Sequence, residues 1–120
     1  MCKKDVDDFD LILNKIKVMA EAFKAMGDPN RLKIIGLLAS KKGESFSVND
    51  IAQLLEISQP ATSQHLKNLK NIGIVNSDRK GFHVYYRIDI RRFKEIKADF
   101  DFLSEIALVP REDYYQEKNQ

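Results

Sequence analysis

The hydrophobic pattern of this chain changes its period near Gly73, and that change restricts the fold more than any other feature. Before Gly73, apolar residues recur at three- and four-residue spacings, which is typical of one face of an α-helix. After it, β-branched and aromatic residues cluster at 74–75 and 82–88, on either side of the polar stretch 76–81. Helical spacing returns from Phe93 onward. The sequence therefore predicts a mainly α fold with one β-hairpin.

Capping residues divide the helical part into separate segments. A first helix of about 20 residues follows Phe9, and Gly27 is suited to end it. The third and fourth helices are predicted near 49–55 and 59–72, and a last helix follows the hairpin. The residues expected to cap the helices after the first are Asp28, Ser47, Ser58 and Asp89.

Length and composition limit the class of protein. A chain of 120 residues predicts one domain, 1–120, with flexible tails at 1–5 and 111–120. No apolar stretch approaches the roughly 20 residues that cross a bilayer, and the acidic start does not resemble a signal peptide, so we expect a cytoplasmic protein without membrane contact. The single cysteine, Cys2, excludes an intramolecular disulfide and any metal site built from two thiolates of one chain.

The charge of the chain is unevenly distributed. Residues 1–62 carry nine basic and nine acidic side chains, 63–92 carry seven basic and two acidic ones, and 93–120 carry four basic and seven acidic ones. The middle segment contains the fourth helix and the hairpin, and its positive charge favours a polyanionic partner.

The third and fourth helices have the proportions of a helix-turn-helix, whose second helix enters the DNA major groove. At about 100° per residue, Thr62, Leu66 and Leu69 share one side of the fourth helix. The other side has amide, hydroxyl and ammonium groups without a carboxylate, which suits base edges and phosphates. The candidate contacts to double-stranded DNA are Gln59, Ser63, Gln64, Lys67, Asn68 and Asn71 on the helix, with Arg79 and Lys80 at the hairpin tip.

Three segments resemble the signatures of the ArsR/SmtB family of winged helix-turn-helix repressors. They are residues 23–34 (FKAMGDPNRLKI), 57–69 (ISQPATSQHLKNL) and 81–88 (GFHVYYRI), in the expected order and spacing. The resemblance implies a homodimeric cytoplasmic regulator that represses its operator until an inducer, here unknown, binds. It also implies that Ala61 lies at the DNA with Gln59, Ser63, Gln64 and Lys67, and that Arg79 and Lys80 form the wing.

The same resemblance implies that the first and last helices form the dimer interface. Their apolar stripes add to a core that the helix-turn-helix and hairpin already supply, so a monomer would expose a large apolar patch. The predicted interface residues are Phe9, Ile12, Ile16, Phe93, Ile96, Phe100 and Leu103.

The metal-binding residues of the resembled family are missing. Its Cys-Val-Cys motif corresponds here to residues 47–49 (SVN), and its histidine-rich site on the last helix corresponds to Arg92, Leu103 and Ile106. The carboxylates Asp99, Asp101 and Glu105 are interpreted as a solvated face. We therefore expect no metal and no cofactor.

Catalysis is not expected either, since the sequence has no nucleophile with a nearby base and no phosphate-binding loop. Two alternatives remain open at this point. One is a regulator that senses metal or redox state through a non-standard site, and the other is a winged-helix module that binds protein. The absence of carboxylates from the outer face of the fourth helix argues against the second alternative.

Overall fold

The structure, a computed structural model, describes residues 3–41 and 43–108, which form five helices and three strands. The elements in chain order are α1 (Lys3–Met26), α2 (Pro29–Ser40), β1 (Phe46–Ser47), α3 (Val48–Leu55), α4 (Gln59–Asn71), β2 (Val75–Lys80), β3 (His83–Ile88) and α5 (Ile90–Ala107). The predicted winged helix-turn-helix order is confirmed, and the short strand β1 is an addition. Residues 3–5, expected in a tail, belong to α1, whereas the tail residues 1–2 and 111–120 lie outside the described residues.

The predicted caps are present. The Ser47 hydroxyl accepts a hydrogen bond from the backbone N–H of Asp50 (3.1 Å), and the Asp50 carboxylate accepts one from the N–H of Ser47 (3.2 Å), which completes a capping box. The Ser58 hydroxyl accepts from the N–H of Ala61 (3.2 Å) at the start of α4. Between these helices, Glu56 adopts a left-handed conformation (φ 57°) that closes α3. The turn between α3 and α4 is therefore specified by local hydrogen bonds.

The hairpin differs from its prediction in the length of its strands. Strands β2 and β3 pair antiparallel from Val75 opposite Ile88 to Lys80 opposite His83, so the turn contains only Gly81 and Phe82. The polar residues 76–80, predicted as loop, are strand because cross-strand pairing outweighs their weak β-propensity. Strand β1 pairs with the other edge of β3, which gives the sheet order β1-β3-β2.

The core lies where α2, α3 and α4 meet the base of the hairpin. The fully buried large side chains there are Ile34, Leu38, Ile51, Leu66, Leu69, Ile74 and Val75, together with Thr62. The Thr62 hydroxyl donates to the carbonyl of Ser58 (2.8 Å), so the buried hydroxyl has a hydrogen-bond partner. This core holds α4 and the hairpin against one frame. Within the described residues, none of the helices combines the length and the apolar character that a membrane span requires.

Candidate nucleic-acid interface

The N-terminal half of α4 presents polar side chains to solvent. Gln59, Ser63, Gln64 and Lys67 are exposed, and Ala61 is half-buried beside them. The opposite side of the helix contributes Thr62, Leu66 and Leu69 to the core, as the helical spacing predicts. One side-chain contact links this face to α3, because the Gln59 amide donates to the Asn49 side-chain oxygen (2.8 Å). The exposed face is therefore rich in donors and acceptors and contains no carboxylate.

The two asparagines near the C-terminal end of α4 have different surroundings. Asn68 is half-buried and Asn71 is exposed, and both line a shallow cleft beside Glu21 and Lys24 of α1 and Arg31 of α2. This cleft faces α1 and α2, so the structure separates the two asparagines from the exposed face at the start of the helix. Helical spacing predicts that both asparagines lie on the same outward side as Gln64 and Lys67. Spacing within one helix cannot show that α1 and α2 lie beside the asparagines.

The wing is attached to α4 by a side-chain hydrogen bond. The Lys70 ammonium, in the last turn of α4, donates to the Ser77 hydroxyl of β2 (2.6 Å). Further out, Arg79 and Lys80 are both exposed near the turn. The ion pair of the wing joins Arg87 to Asp78 (3.4 Å), so within the described residues the wing carboxylate pairs with Arg87 and not with Arg79 or Lys80. The outer part of the hairpin thus keeps two cations directed at solvent.

Tyr85 and Tyr86 lie on opposite faces of the hairpin. Tyr86 packs against the core, whereas Tyr85 lies beside the ring of His83 (6.3 Å between centroids) and under the Lys80 ammonium (5.8 Å). The contact between the Lys80 ammonium and the Tyr85 ring stabilises the outer end of the wing, on the face that the core does not cover.

Two aspartates at helix N-termini have lowered pKa values. The pKa of Asp28 lies below its ordinary 3.8 chiefly because the backbone N–H of Arg31 donates to its carboxylate, although desolvation acts in the opposite direction. The pKa of Asp89 is lowered chiefly by the N–H of Arg92 and then by the Asn76 amide, which donates to the second oxygen (2.9 Å). Through these bonds, Asp89 connects the start of α5 to the base of the wing.

His65 is the one histidine on α4, and it faces inward. Its Nε2 lies 3.9 Å from the Asp28 carboxylate, beyond hydrogen-bond distance, and its buried Nδ1 has no partner within the described residues. The imidazole therefore belongs to the packing of α4 on α2 and does not contribute to the exposed face.

Comparison with known proteins identifies the family. Residues 28–77 match the family described as bacterial regulatory protein, arsR family. An HTH-type transcriptional regulator of Methanocaldococcus jannaschii is 43% identical over 84 residues, which cover 70% of this chain and 92% of that protein. The chain belongs to the ArsR family. It is a transcriptional regulator with a DNA-binding winged helix, in which α4 occupies the position of the recognition helix.

This ArsR-family protein is also similar to a named repressor and to a solved homodimeric domain. The transcriptional repressor SdpR of Bacillus subtilis is 41% identical over 71 residues, which are 59% of this chain and 76% of the repressor. A homodimeric winged helix-turn-helix DNA-binding domain of Mycobacterium bovis superposes with a TM-score of 0.59 and 27% identity, covering 80% of this chain and 84% of that domain.

The first and last helices of the ArsR-family protein form a joint apolar surface. Helices α1 and α5 pack together, with Phe23 and Phe100 in edge-to-face contact (5.7 Å between centroids). We call the exposed apolar residues of these two helices the α1/α5 surface. Among the predicted interface residues, it contains Phe9, Ile16, Phe93, Phe100 and Leu103, with Ile12 half-buried.

One predicted interface residue, Ile96, does not belong to the α1/α5 surface. It is only 5% exposed and belongs to the buried core of the chain itself. The α1/α5 surface also contains exposed apolar residues that lie outside the predicted stripes. They are Leu11, Leu13, Val18, Phe102 and Ile106.

The positions that correspond to metal ligands in the resembled family have other partners here. Ser47 caps α3, Asn49 accepts the amide of Gln59, and Arg92 donates to the carbonyl of Ile72 (3.1 Å) and pairs with Glu95 (3.1 Å). Across residues 3–41 and 43–108, no three His, Cys, Asp or Glu side chains are grouped as a metal site would require. Cys2, the single thiol of the chain, lies outside the described residues.

Proposed function

We propose that this ArsR-family regulator is a homodimeric repressor that recognises a specific operator through α4 and holds flanking DNA through its wing. The observation that carries the proposal is the exposed face of α4, which combines amides, hydroxyls and an ammonium without any carboxylate beside a basic wing. Repression is supported by the similarity to a protein named as a transcriptional repressor.

The proposed contacts follow from side-chain chemistry. Gln59 and Gln64 offer paired amide donors and acceptors to base edges, and Ser63 offers a hydroxyl. Ala61 is small enough to contact a thymine methyl group, and Lys67 meets a phosphate or a guanine. Asn68 and Asn71 line the cleft beside α1, and we assign them to contacts with the DNA backbone rather than with base edges.

The wing contributes affinity rather than sequence selection in this proposal. Arg79 and Lys80 are exposed and have no carboxylate partner among the described residues, so they are available to flanking phosphates. Phosphate contacts release counterions and act on all duplexes alike.

The dimer is proposed to form through the α1/α5 surface. Large aromatic and aliphatic side chains there stay exposed in one protomer, and a second copy is the partner that the homodimeric relative from Mycobacterium bovis supports. Two recognition helices related by a two-fold axis would read half-sites about one helical turn, roughly 34 Å, apart. Sedimentation should show a dimer at tens of micromolar, and a 13.9 kDa monomer there would contradict the proposal.

The proposed regulator has none of the usual metal sites of its family, so its inducer differs from the soft metals that thiolate sites bind. At those positions Ser47, Asn49 and Arg92 are engaged in capping or in hydrogen bonds. Leu103 and Ile106 are apolar and have no metal-binding atoms. The inducer itself is unknown.

The experiment that tests this function selects bound fragments from genomic DNA and measures variants on the recovered duplexes. Gln64→Ala and Lys67→Ala should each weaken specific binding by about 1–3 kcal/mol and relax sequence preference. Arg79→Ala should weaken all duplexes alike and lower the salt slope by about one unit. Lys94→Ala, at an exposed lysine of α5, serves as the control and should bind like the wild type. Loss of sequence preference with Arg79→Ala alone would contradict the assignment.

A further inference from the structure

The turn of the hairpin carries a fully exposed phenylalanine. Phe82 has a relative exposure of 102%, more than any other large apolar side chain in the described residues. Its position follows from the two-residue turn, in which Gly81 takes the positive φ (64°) and Phe82 takes the second place. No neighbouring side chain covers the ring, so its exposure is imposed by the backbone of the turn.

The turn stands well away from the core. Val75, at the base of β2, is fully buried, and Lys80 at the outer end is five positions further along the strand. At about 3.3 Å per residue, the turn lies roughly 16 Å beyond the buried base of the hairpin. Phe82 therefore belongs to a narrow projection and cannot contribute to the protomer's own core.

The charges around Phe82 favour a nucleic acid over an apolar protein surface. Arg79, Lys80 and His83 are exposed on either side of the turn, and the turn itself contains no acid. The nearest strand carboxylate, Asp78, pairs with Arg87 (3.4 Å). A ring beside the two cations Arg79 and Lys80 fits a groove lined with phosphates whose floor consists of base edges and sugars.

We propose that Phe82 inserts into the minor groove beside the operator and stacks against a base step or a sugar, as an apolar wedge between the phosphate contacts of the wing. This inference rests on the proposed DNA-binding function. Apolar wedges of this kind partly unstack a step and bend the duplex, which lets more protein surface reach the DNA. The contact is apolar, so it adds affinity without releasing counterions.

A single fluorescent probe tests the insertion. The chain has no tryptophan, so Phe82→Trp places the only indole at the wing tip. The variant is titrated with fluorescein-labelled 30-bp duplexes recovered from the genomic selection, with binding followed by the anisotropy of the label. Bound duplex should quench the indole and shield it from iodide, because the ring stacks on the DNA. Ile90→Trp, at an exposed apolar residue near the wing base, is the matched control and should not be quenched.

Affinity and its salt dependence provide a second readout. A merely structural role of Phe82 would displace Arg79 and Lys80 and lower the salt slope as well as the affinity. Phe82→Ala should weaken binding about tenfold while leaving the salt slope unchanged, whereas Arg79→Ala lowers the slope. Duplex binding with an unquenched, iodide-accessible indole and a wild-type affinity for Phe82→Ala would overturn the assignment and point to a protein contact. Failure of the wild type to bind any duplex would overturn the proposed function, and this assignment with it.

Discussion

The helix-turn-helix and the pair formed by α1 and α5 are both amphipathic, yet only the first buries its apolar side within the chain. Leu66 of α4 has no exposure, whereas Leu103 and Phe100 of α5 are 38% and 47% exposed. The two regions also differ in charge, since residues 63–92 are basic and residues 93–120 are acidic overall. The comparison shows that an apolar stripe predicts burial without showing whether the same chain or a second copy provides it.

The largest expected effect is on the free energy of unfolding, and it differs between Leu66 of α4 and Leu103 of α5. Leu66→Ala should lower the free energy of unfolding by about 2–5 kcal/mol at every protein concentration, because it opens a cavity in the protomer core. Leu103→Ala should cost less than about 1.5 kcal/mol where the protein is monomeric, and more where dimers form. Urea unfolding at two protein concentrations measures both. If both variants lost the same free energy of unfolding at both protein concentrations, the helix-turn-helix and the α1/α5 surface would not differ in this respect.

A charge placed on the α1/α5 surface should weaken association next most strongly. Phe100→Asp should raise the dimer dissociation constant about a hundredfold, or about 2.7 kcal/mol, because association would bury an unpaired carboxylate. Leu32→Asp makes the same kind of change at an exposed leucine of α2 and should leave the dimer intact. Analytical ultracentrifugation compares the two variants, and an unchanged constant for Phe100→Asp would place the interface elsewhere.

The junction between the two regions depends on Asp89. Asp89→Ala should cost about 1 kcal/mol, because it removes the N-cap of α5 and the partner of the Asn76 amide. Asp89→Asn keeps an oxygen for the Arg92 N–H and should recover most of the loss. Thermal unfolding measures both, and equal destabilisation by the two substitutions would show that charge rather than capping is responsible.

Acid should lower stability by less than the substitutions above, because it protonates the capping carboxylates of Asp28 and Asp89. Because the pKa values of Asp28 and Asp89 are lowered in the folded chain, their contribution is complete above the ordinary value of 3.8 and is lost as the pH falls through the folded values. The unfolding midpoint should therefore decline below about pH 4, and decline less for Asp89→Asn. A midpoint that is the same for both proteins at each acidic pH would contradict a role for Asp89 in this decline.

The smallest expected effect is that of metal ions. Operator affinity should be the same in chelator and with zinc, cadmium or arsenite in slight excess over protein, since Ser47, Asn49 and Arg92 offer neither thiolate nor imidazole. Equilibrium binding by fluorescence anisotropy measures it. A change of about tenfold, or about 1.4 kcal/mol of coupling, would show that the protein has a metal site that these residues do not account for.

The features that could be predicted from sequence are those that depend on neighbouring residues along the chain. The capping box at Ser47 and Asp50, the cap at Ser58 and the buried side of α4 were all predicted correctly, because hydrogen bonds within one turn and helical periodicity are local. The DNA contacts on α4 and the wing stay predictions that only binding experiments test.

The helices and their caps are predictable from sequence because each depends on residues within a few positions of one another. The segregation of charge needs no folding argument, since it is a property of the order of residues along the chain. Three other features depend on contacts between elements that are distant along the chain. Strand β1 exists because Phe46 and Ser47 pair with β3, and polar residues 76–80 are strand because β3 lies beside them. Ile96 is buried while Phe100 is exposed because α5 crosses the core only along part of its length. In each case the deciding partner is distant in sequence, so no local pattern contains it.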